Sequence, residues 1–63
     1  MYAKYVELRD EKKLRDSEVA RATGLAPSVF TDWKNGKCNP KVDKLLRIAD
    51  FFGITLDELV KGE

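Results

Sequence analysis

Apolar residues recur along this chain at the three- and four-residue spacing of short amphipathic helices. No stretch keeps the strict two-residue alternation that indicates a half-buried strand. Glycine, proline and asparagine fall between the periodic stretches, where helices usually begin and end. The pattern therefore predicts an all-α fold of five helices, without strands or internal repeats, in a single domain over residues 1–63.

The first predicted helix runs from about Tyr2 to Lys13. Tyr5 and Leu8 lie on one side of it at the spacing of core contacts, and Lys12 continues that side. Leu14 follows in the connecting turn, where we expect its apolar side chain to tether the turn to the core. This helix is expected to present a narrow apolar face.

The second and third predicted helices are joined by a tight turn. The second begins near Asp16, with Asp16 or Ser17 as its cap, and ends at Gly24, which adopts the left-handed conformation without strain. The third opens at Pro27, because a first helical turn does not need the N–H that proline lacks. Its predicted buried stripe is Val29, Phe30 and Trp33. Two short helices joined in this way are typical of a helix-turn-helix.

The opposite surface of the third helix carries Pro27, Ser28, Thr31 and Asp32. Hydroxyl groups can donate to or accept from any base, and a carboxylate can accept from the amino group of cytosine. These four residues are therefore predicted to form a base-reading surface.

Asn35 and Gly36 end the third helix, and a loop of turn-favouring residues over 37–40 follows. The fourth helix is predicted to start between Pro40 and Val42 and to end at Gly53. Its predicted apolar face consists of Val42, Leu45, Leu46, Ala49 and Phe52.

The fifth helix is predicted from a capping box formed by Thr55 and Glu58. A threonine at the cap and a glutamate three residues later can satisfy two free backbone N–H groups. The helix is predicted to turn Leu56, Leu59 and Val60 inward.

Composition excludes several classes of site and setting. The single Cys38 and the absence of histidine leave no internal disulfide and no zinc site, so a reducing, cytoplasmic setting is expected. No apolar run could span a bilayer, and the charged start does not resemble a secretory signal. Nothing supplies a nucleophile with its base, so we expect no enzyme, no cofactor, no metal and no small-molecule ligand.

Charge is segregated along the chain although the net charge is only +1. Residues 34–47 contain five bases against one acid, whereas residues 48–63 contain one base against four acids. The basic segment directly follows the predicted base-reading helix, which suggests contacts with a phosphate backbone. An ordinary solvated lysine surface is the alternative.

An ordered set of residues resembles the Cro and phage-repressor type of helix-turn-helix regulators, also called the xenobiotic-response-element superfamily. The resemblance covers nearly the whole chain and rests on Leu8-Arg9, Leu14, Val19-Ala20, Gly24-Leu25, Phe30, Trp33, Asn35-Gly36-Lys37, Pro40, the run 45–49 and the ending 52–59. It implies a compact, lambda-repressor-like domain of five helices with the helix-turn-helix at helices two and three.

The resemblance also implies roles for individual residues. The start of the third helix is expected to lie in the major groove, which adds Ala26 to the base-reading set of Pro27, Ser28, Thr31 and Asp32. The implied phosphate contacts are Asp16, Asn35, Gly36, Lys37, Lys41 and Lys44. A plain helix C-cap is a compatible alternative for Asn35 and Gly36. No base-reading residue offers a bidentate fork, so we expect modest direct readout supplemented by DNA shape.

Three positions depart from the pattern of this family. Arg15 stands where a serine or threonine cap is usual, and Asp16 where a glutamine commonly reaches DNA. Lys34 replaces a glutamate that often pairs with the arginine matching Arg9. Pairing of Arg9 with another carboxylate and its exposure to solvent or phosphate are both open alternatives.

We expect a sequence-specific transcriptional regulator, a phage or bacterial repressor that occupies a double-stranded operator as a homodimer. A patch of Phe51, Leu59 and Val60 is the expected dimer contact, with ordinary core packing as its alternative. The competing function is a protein-interaction module, such as an antitoxin or a regulator's partner, that does not read DNA. The chain is expected to be either a complete repressor or the amino-terminal domain of a longer one.

Overall fold

A computed structural model describes residues 1–61 as five α-helices connected by short turns. The helices are α1 (Tyr2–Glu11), α2 (Asp16–Thr23), α3 (Pro27–Lys34), α4 (Val42–Phe52) and α5 (Leu56–Lys61). This arrangement confirms the all-helical prediction for the described part of the chain. Glu63, which was counted in the acidic segment, lies outside the described residues. None of the helices in residues 1–61 is long and apolar enough to cross a membrane.

The core is built from one side of every helix. Helix α2 packs against α3 and α4, and α5 packs against α4 and α1. The buried hydrophobic residues that form the core cluster are Tyr5, Val19, Ala20, Phe30, Trp33, Leu45, Ile48, Ala49, Phe52 and Leu59. A single cluster therefore fixes the orientation of α3.

Helices α1 to α4 end in the same hydrogen-bond pattern, in which a residue just beyond the helix donates its N–H back across the last turn. The donors are Leu14, Leu25, Lys37 and Ile54, with N···O distances of 3.0, 3.0, 2.9 and 3.0 Å. The residue before each donor has a positive φ: Lys13 at 55°, Gly24 at 75°, Gly36 at 68° and Gly53 at 71°.

The donor residue of this pattern differs after α3. Leu14, Leu25 and Ile54 are partly buried and pack against the core, as the apolar contact of this helix ending usually does. Lys37 occupies the equivalent place after α3 and is exposed. The loop after α3 therefore presents a cation where the other helix ends are anchored by an apolar side chain.

The turn between α2 and α3 requires glycine because of its backbone conformation. A Cβ added at Gly24 would meet Nη1 of Arg47 at 3.6 Å, which is an ordinary contact. The φ of 75° is nevertheless strained for any residue with a side chain. Glycine here sets the direction in which α3 leaves the turn.

The ends of the first two helices differ from the prediction. Helix α1 ends at Glu11, because Lys13 adopts a left-handed conformation that cannot continue the helix, and Lys12 is exposed. Neither Asp16 nor Ser17 caps α2. The cap residue is Arg15, whose N–H donates to Oε1 of Glu18 at 3.0 Å. Glu18 thus satisfies the helix start, which leaves the carboxylate of Asp16 free for other contacts.

The inward side of α4 is rotated relative to the prediction. Val42 and Leu46 are 60% and 44% exposed, whereas Ile48 is fully buried. The buried stripe is centred on Leu45, Ile48, Ala49 and Phe52, the side on which the rest of the core lies. The predicted inward orientation of Val42 and Leu46 is therefore wrong.

Helix α5 agrees with the prediction in part. The N–H of Glu58 donates to Oγ1 of Thr55 at 3.1 Å, which confirms the threonine half of the capping box. Leu59 is fully buried and Leu56 partly buried, but Val60 is 44% exposed. Val60 follows Leu59 by one residue and therefore points about 100° away from it around the helix, on the side that is exposed.

Replacing Lys13 with glycine is expected to stabilise the domain. A non-glycine residue in the left-handed region costs roughly 1–2 kcal/mol, and the extra entropy of an unfolded glycine offsets roughly half of that. We expect the free energy of unfolding of Lys13→Gly, measured by urea denaturation, to rise by about 0.5–1 kcal/mol.

Lys12→Gly is the matched control, because the φ of Lys12 is −91° and nothing there favours glycine. It should lower the free energy of unfolding. Equal destabilisation by both substitutions would contradict the assignment of strain to Lys13.

Candidate nucleic-acid interface

The two sides of α3 have different environments. Phe30 is fully buried, Trp33 is 3% exposed, and Val29 packs against the core from a partly buried position. These residues confirm the predicted buried stripe. The opposite side is bare, because four of the five predicted base-reading residues are exposed: Ala26, Pro27, Ser28 and Thr31.

Aromatic contacts hold the buried side of α3 in place. The ring centroid of Tyr5 lies 5.2 Å from that of Phe30 and 5.2 Å from that of Trp33. The ring of Tyr2 meets Trp33 edge-on at 5.3 Å. Pairs of this kind contribute about 0.5–1.5 kcal/mol each beyond their buried area. Helix α1 therefore clamps α3 through three aromatic contacts.

No side chain caps the start of α3. Ala26 occupies the cap position without a side-chain hydrogen bond, and Pro27 follows as the first helical residue. A serine or aspartate at this cap would be more stable by about 1 kcal/mol. The uncapped helix start keeps its partial positive charge directed outward.

The predicted phosphate contacts of the loop and of α4 lie directly after α3. Asn35 ends the helix, with its N–H donating to the carbonyl of Thr31 at 3.1 Å. Asn35, Gly36, Lys37 and Lys41 are exposed, and Lys44 is partly buried. The C-cap alternative for Asn35 is thus realised in the backbone, and its side chain is still accessible.

A cleft of about 300 Å³ separates α3 from the start of α4. Two members of the predicted base-reading set and two of the predicted phosphate set line it: Ser28, Asp32, Lys41 and Lys44. Val29, Cys38, Asn39 and Pro40 complete the lining. The structure thus brings these four residues together at one surface.

The burial of Pro40 and the partial burial of Asp32 in this cleft were not predicted from the sequence. Pro40 is buried, although its turn-favouring neighbours suggest a solvated loop, and Asp32 is only partly exposed. Proline beside the start of an apolar helix is the only sequence signal for such packing. The carboxylate of Asp32 therefore has less surface to offer than the other base-reading residues.

Asp16 is held by α1. Its Oδ1 accepts a hydrogen bond from the hydroxyl of Tyr5 at 2.5 Å and another from Nη1 of Arg9 at 2.9 Å. Nη2 of Arg9 also lies 3.1 Å from Oδ1 of Asp10. Arg9 therefore pairs with two carboxylates, which answers the question that the sequence left open.

This cluster shifts the pKa of each of its three members. Burial and the bond to Asp16 raise the pKa of Tyr5 well above its usual range, so the hydroxyl stays a donor. The hydrogen bond to Asp16 raises the pKa of Arg9. Burial alone would raise the pKa of Asp16, but the bonds from Tyr5 and Arg9, with the charges of Arg9 and Lys34, lower it overall.

The expected dimer patch is only partly at the surface. Leu59 is fully buried, so its predicted contact with a second subunit is wrong and it packs in the core instead. Phe51 is partly buried with its ring edge-on to that of Phe52 at 4.9 Å. Val60 is the member of the three with a substantially exposed side chain.

Acid should destabilise the domain partly through Asp16. Because its pKa is lowered in the folded state, Asp16 stabilises the fold above its unfolded pKa of about 3.9, and this contribution is lost as the pH falls through the folded value. We expect Asp16→Asn to flatten the loss of unfolding free energy as the pH falls below the unfolded pKa of about 3.9.

Asp43→Asn removes an exposed carboxylate of α4. Its unfolding free energy should fall with decreasing pH about as steeply as that of the wild type. Urea denaturation at each pH measures both variants. An unchanged acid slope in Asp16→Asn would show that the cluster does not contribute in this way.

Known proteins match this chain over most of its length. The model of a helix-turn-helix family matches residues 7–59. The transcriptional activator BcrR of Enterococcus faecalis is 33% identical over 95% of the chain, and the phage CTXphi transcriptional repressor RstR of Vibrio cholerae is 31% identical over 92%. The ImmF control region 10 kDa protein of Bacillus phage phi105 is 34% identical over 87%.

These relatives are longer than the matched region, since the alignments span 29%, 52% and 61% of their respective lengths. The similarity lies in the segment that forms the five helices. The family match contains the whole of α2, α3 and α4, including the glycine turn and the bare side of α3. The chain therefore belongs to the helix-turn-helix family of transcriptional regulators of the Cro and phage-repressor type.

Proposed function

We propose that this chain binds double-stranded DNA sequence-specifically, with the start of α3 in the major groove. The exposed side of α3 is the observation that supports this proposal, because the opposite side of the same helix is packed in the core. A helix that reads base edges must protrude in this way, and its first residues make the contacts. Membership of the family of transcriptional regulators agrees with this function.

The base-reading surface is proposed to consist of Ala26, Pro27, Ser28, Thr31 and Asp32. The hydroxyl of Thr31 lies 3.5 Å from the carbonyl oxygen of Pro27, at the limit of a hydrogen bond, so it is available to a base. The methyl group of Ala26 suits a thymine methyl, and Ser28 suits any base edge. We infer that single contacts of this kind give modest discrimination, to which DNA shape adds.

The backbone contacts are proposed to lie after α3. Gly36 and Asn35 present backbone and amide groups at the surface, and Lys37 extends from the position that elsewhere carries an apolar anchor. Lys41 and Lys44 continue this cationic rim along the cleft. The uncapped start of α3 adds its partial positive charge.

We infer that binding represses transcription in the cytoplasm by occupying an operator. The relative RstR is named as a phage repressor, which supports this direction. The relative BcrR is named as an activator, so activation is the other outcome of a test. A promoter carrying the selected site ahead of a reporter separates the two, because repression lowers the output and activation raises it.

Substitutions in the two surfaces should change binding in different ways. Sites are first selected from a random DNA pool, and affinity is then measured at several salt concentrations. We expect Ser28→Ala to change the preference among selected sites without changing the salt dependence. We expect Lys37→Ala to weaken all sites alike and to reduce the slope of log affinity against log salt by about 0.9.

Lys61→Ala is the matched control for the loss of one positive charge, because Lys61 lies on α5, which packs on α1 and α4. Measured on a single half-site, where a subunit contact at α5 plays no part, it should leave site preference and slope unchanged. The same site preference and salt dependence in all three variants would contradict the proposed interface. Failure of the wild type to bind any DNA would favour the protein-interaction alternative.

We also propose that the chain binds its operator as a homodimer, since a two-fold operator calls for a two-fold protein. The exposed Val60 and the partly buried Phe51 support a contact at α5. Val60→Glu should shift the sedimentation profile towards monomer and weaken binding to a two-half-site operator more than to one half-site. A dimer that persists in this variant would place the contact elsewhere.

A further inference from the structure

The hydrogen bonds that meet at Asp16 are of the kind that proteins offer to a DNA phosphate. A guanidinium N–H and a tyrosine hydroxyl both donate to the same carboxylate oxygen, Oδ1, at 2.9 and 2.5 Å. Arginine and tyrosine donate to phosphate oxygens in protein–DNA interfaces in the same manner. Arg9 and Tyr5 thus already hold an anion supplied by the chain itself.

The position of this internal anion is the start of α2. Asp16 is the first residue of the helix, and Glu18 follows in the same turn. In a helix-turn-helix the first helix of the pair crosses the DNA backbone, and a helix start ordinarily attracts phosphate. Here two carboxylates occupy that start.

The acids at the start of α2 are engaged in hydrogen bonds. Asp10 and Asp16 accept from Arg9, and Glu18 accepts from the backbone N–H of Arg15. Oδ1 of Asp16 takes the Nη1 donor of Arg9, while Oδ1 of Asp10 takes Nη2 and Nε. The guanidinium therefore has no uncompensated charge with which to attract a phosphate.

We infer that Asp16 substitutes for a DNA phosphate within the protein and limits the affinity of the domain for DNA. It fixes Arg9 and Tyr5 and keeps the backbone away from the start of α2. The duplex is then held from one side, by the loop after α3 and by the start of α4. This inference rests on the proposed function. Asp16 is a positioning residue, which determines how many phosphates the domain binds.

Asp16→Asn isolates the charge from the hydrogen bonds. The amide oxygen still accepts from Tyr5 and Arg9, but the local charge rises by one unit. We expect the slope of log affinity against log salt to become steeper by about 0.9, because one more phosphate is neutralised. Affinity at low salt should rise roughly fivefold, the equivalent of one exposed charge pair.

Two further variants make the experiment specific. Asp57→Asn removes an equivalent charge from the first turn of α5 and should leave the slope unchanged. Arg9→Gln added to Asp16→Asn should cancel the gain, because Arg9 carries the positive charge that Asp16 no longer balances. A purely structural role of Asp16 would lower stability and would not steepen the slope.

Ethylation interference on the wild type tests the same inference without relying on the fold of any Asp16 variant. Arg9→Gln should leave the set of phosphates whose ethylation weakens binding unchanged, because Asp16 already keeps Arg9 from the backbone. Loss of a sensitive phosphate in Arg9→Gln, or an unchanged or shallower slope in a folded Asp16→Asn, would overturn the inference alone. Absence of DNA binding by the wild type and by Asp16→Asn would overturn the proposed function and the inference together.

Discussion

Tyr5 is the residue on which the arrangement of the helices depends. Its ring contacts Phe30 and Trp33 of α3 and meets Phe52 of α4 edge-on, with centroids 5.2, 5.2 and 6.1 Å apart. Its hydroxyl reaches out of the core to Asp16. A fully buried hydroxyl needs a partner, and loss of that partner costs about 1–3 kcal/mol. One side chain of α1 therefore sets the packing of α3 and the position of the start of α2.

The rigid attachment of α3 allows so small a domain to expose the start of this helix. Ala26, Pro27 and Ser28 are exposed, so they contribute little to stability. Ala26 at the cap even forgoes a stabilising side chain. In the loop after α3, exposed Lys37 likewise takes the place of an apolar residue that would stabilise the helix end. The contacts that stabilise the fold lie on the buried side of α3, and its exposed side is available to a partner.

Local signals in the sequence were sufficient for the number of helices, the buried stripe of α3 and the ends at Gly24 and Gly53. Tertiary contacts decided the rest. The rotation of α4 buries Ile48 and exposes Val42, which periodicity alone could not fix because apolar residues surround much of that helix. Likewise, aspartate is a common residue at helix caps. Only the folded positions of Tyr5 and Arg9 show that the carboxylate of Asp16 bonds to α1 instead. Of the proposed base-reading residues, Ala26, Pro27, Ser28 and Thr31 are exposed, whereas Asp32 is only partly exposed.

The central claim is that the first half of α3 and the loop after it meet the duplex. Chemical-shift perturbation of the backbone amides on addition of a selected operator tests this directly. We expect the largest changes at Ser28, Thr31 and Gly36–Lys37, and smaller ones at α5, where the proposed subunit contact lies. Changes confined to α4 and α5, with α3 silent, would contradict the account.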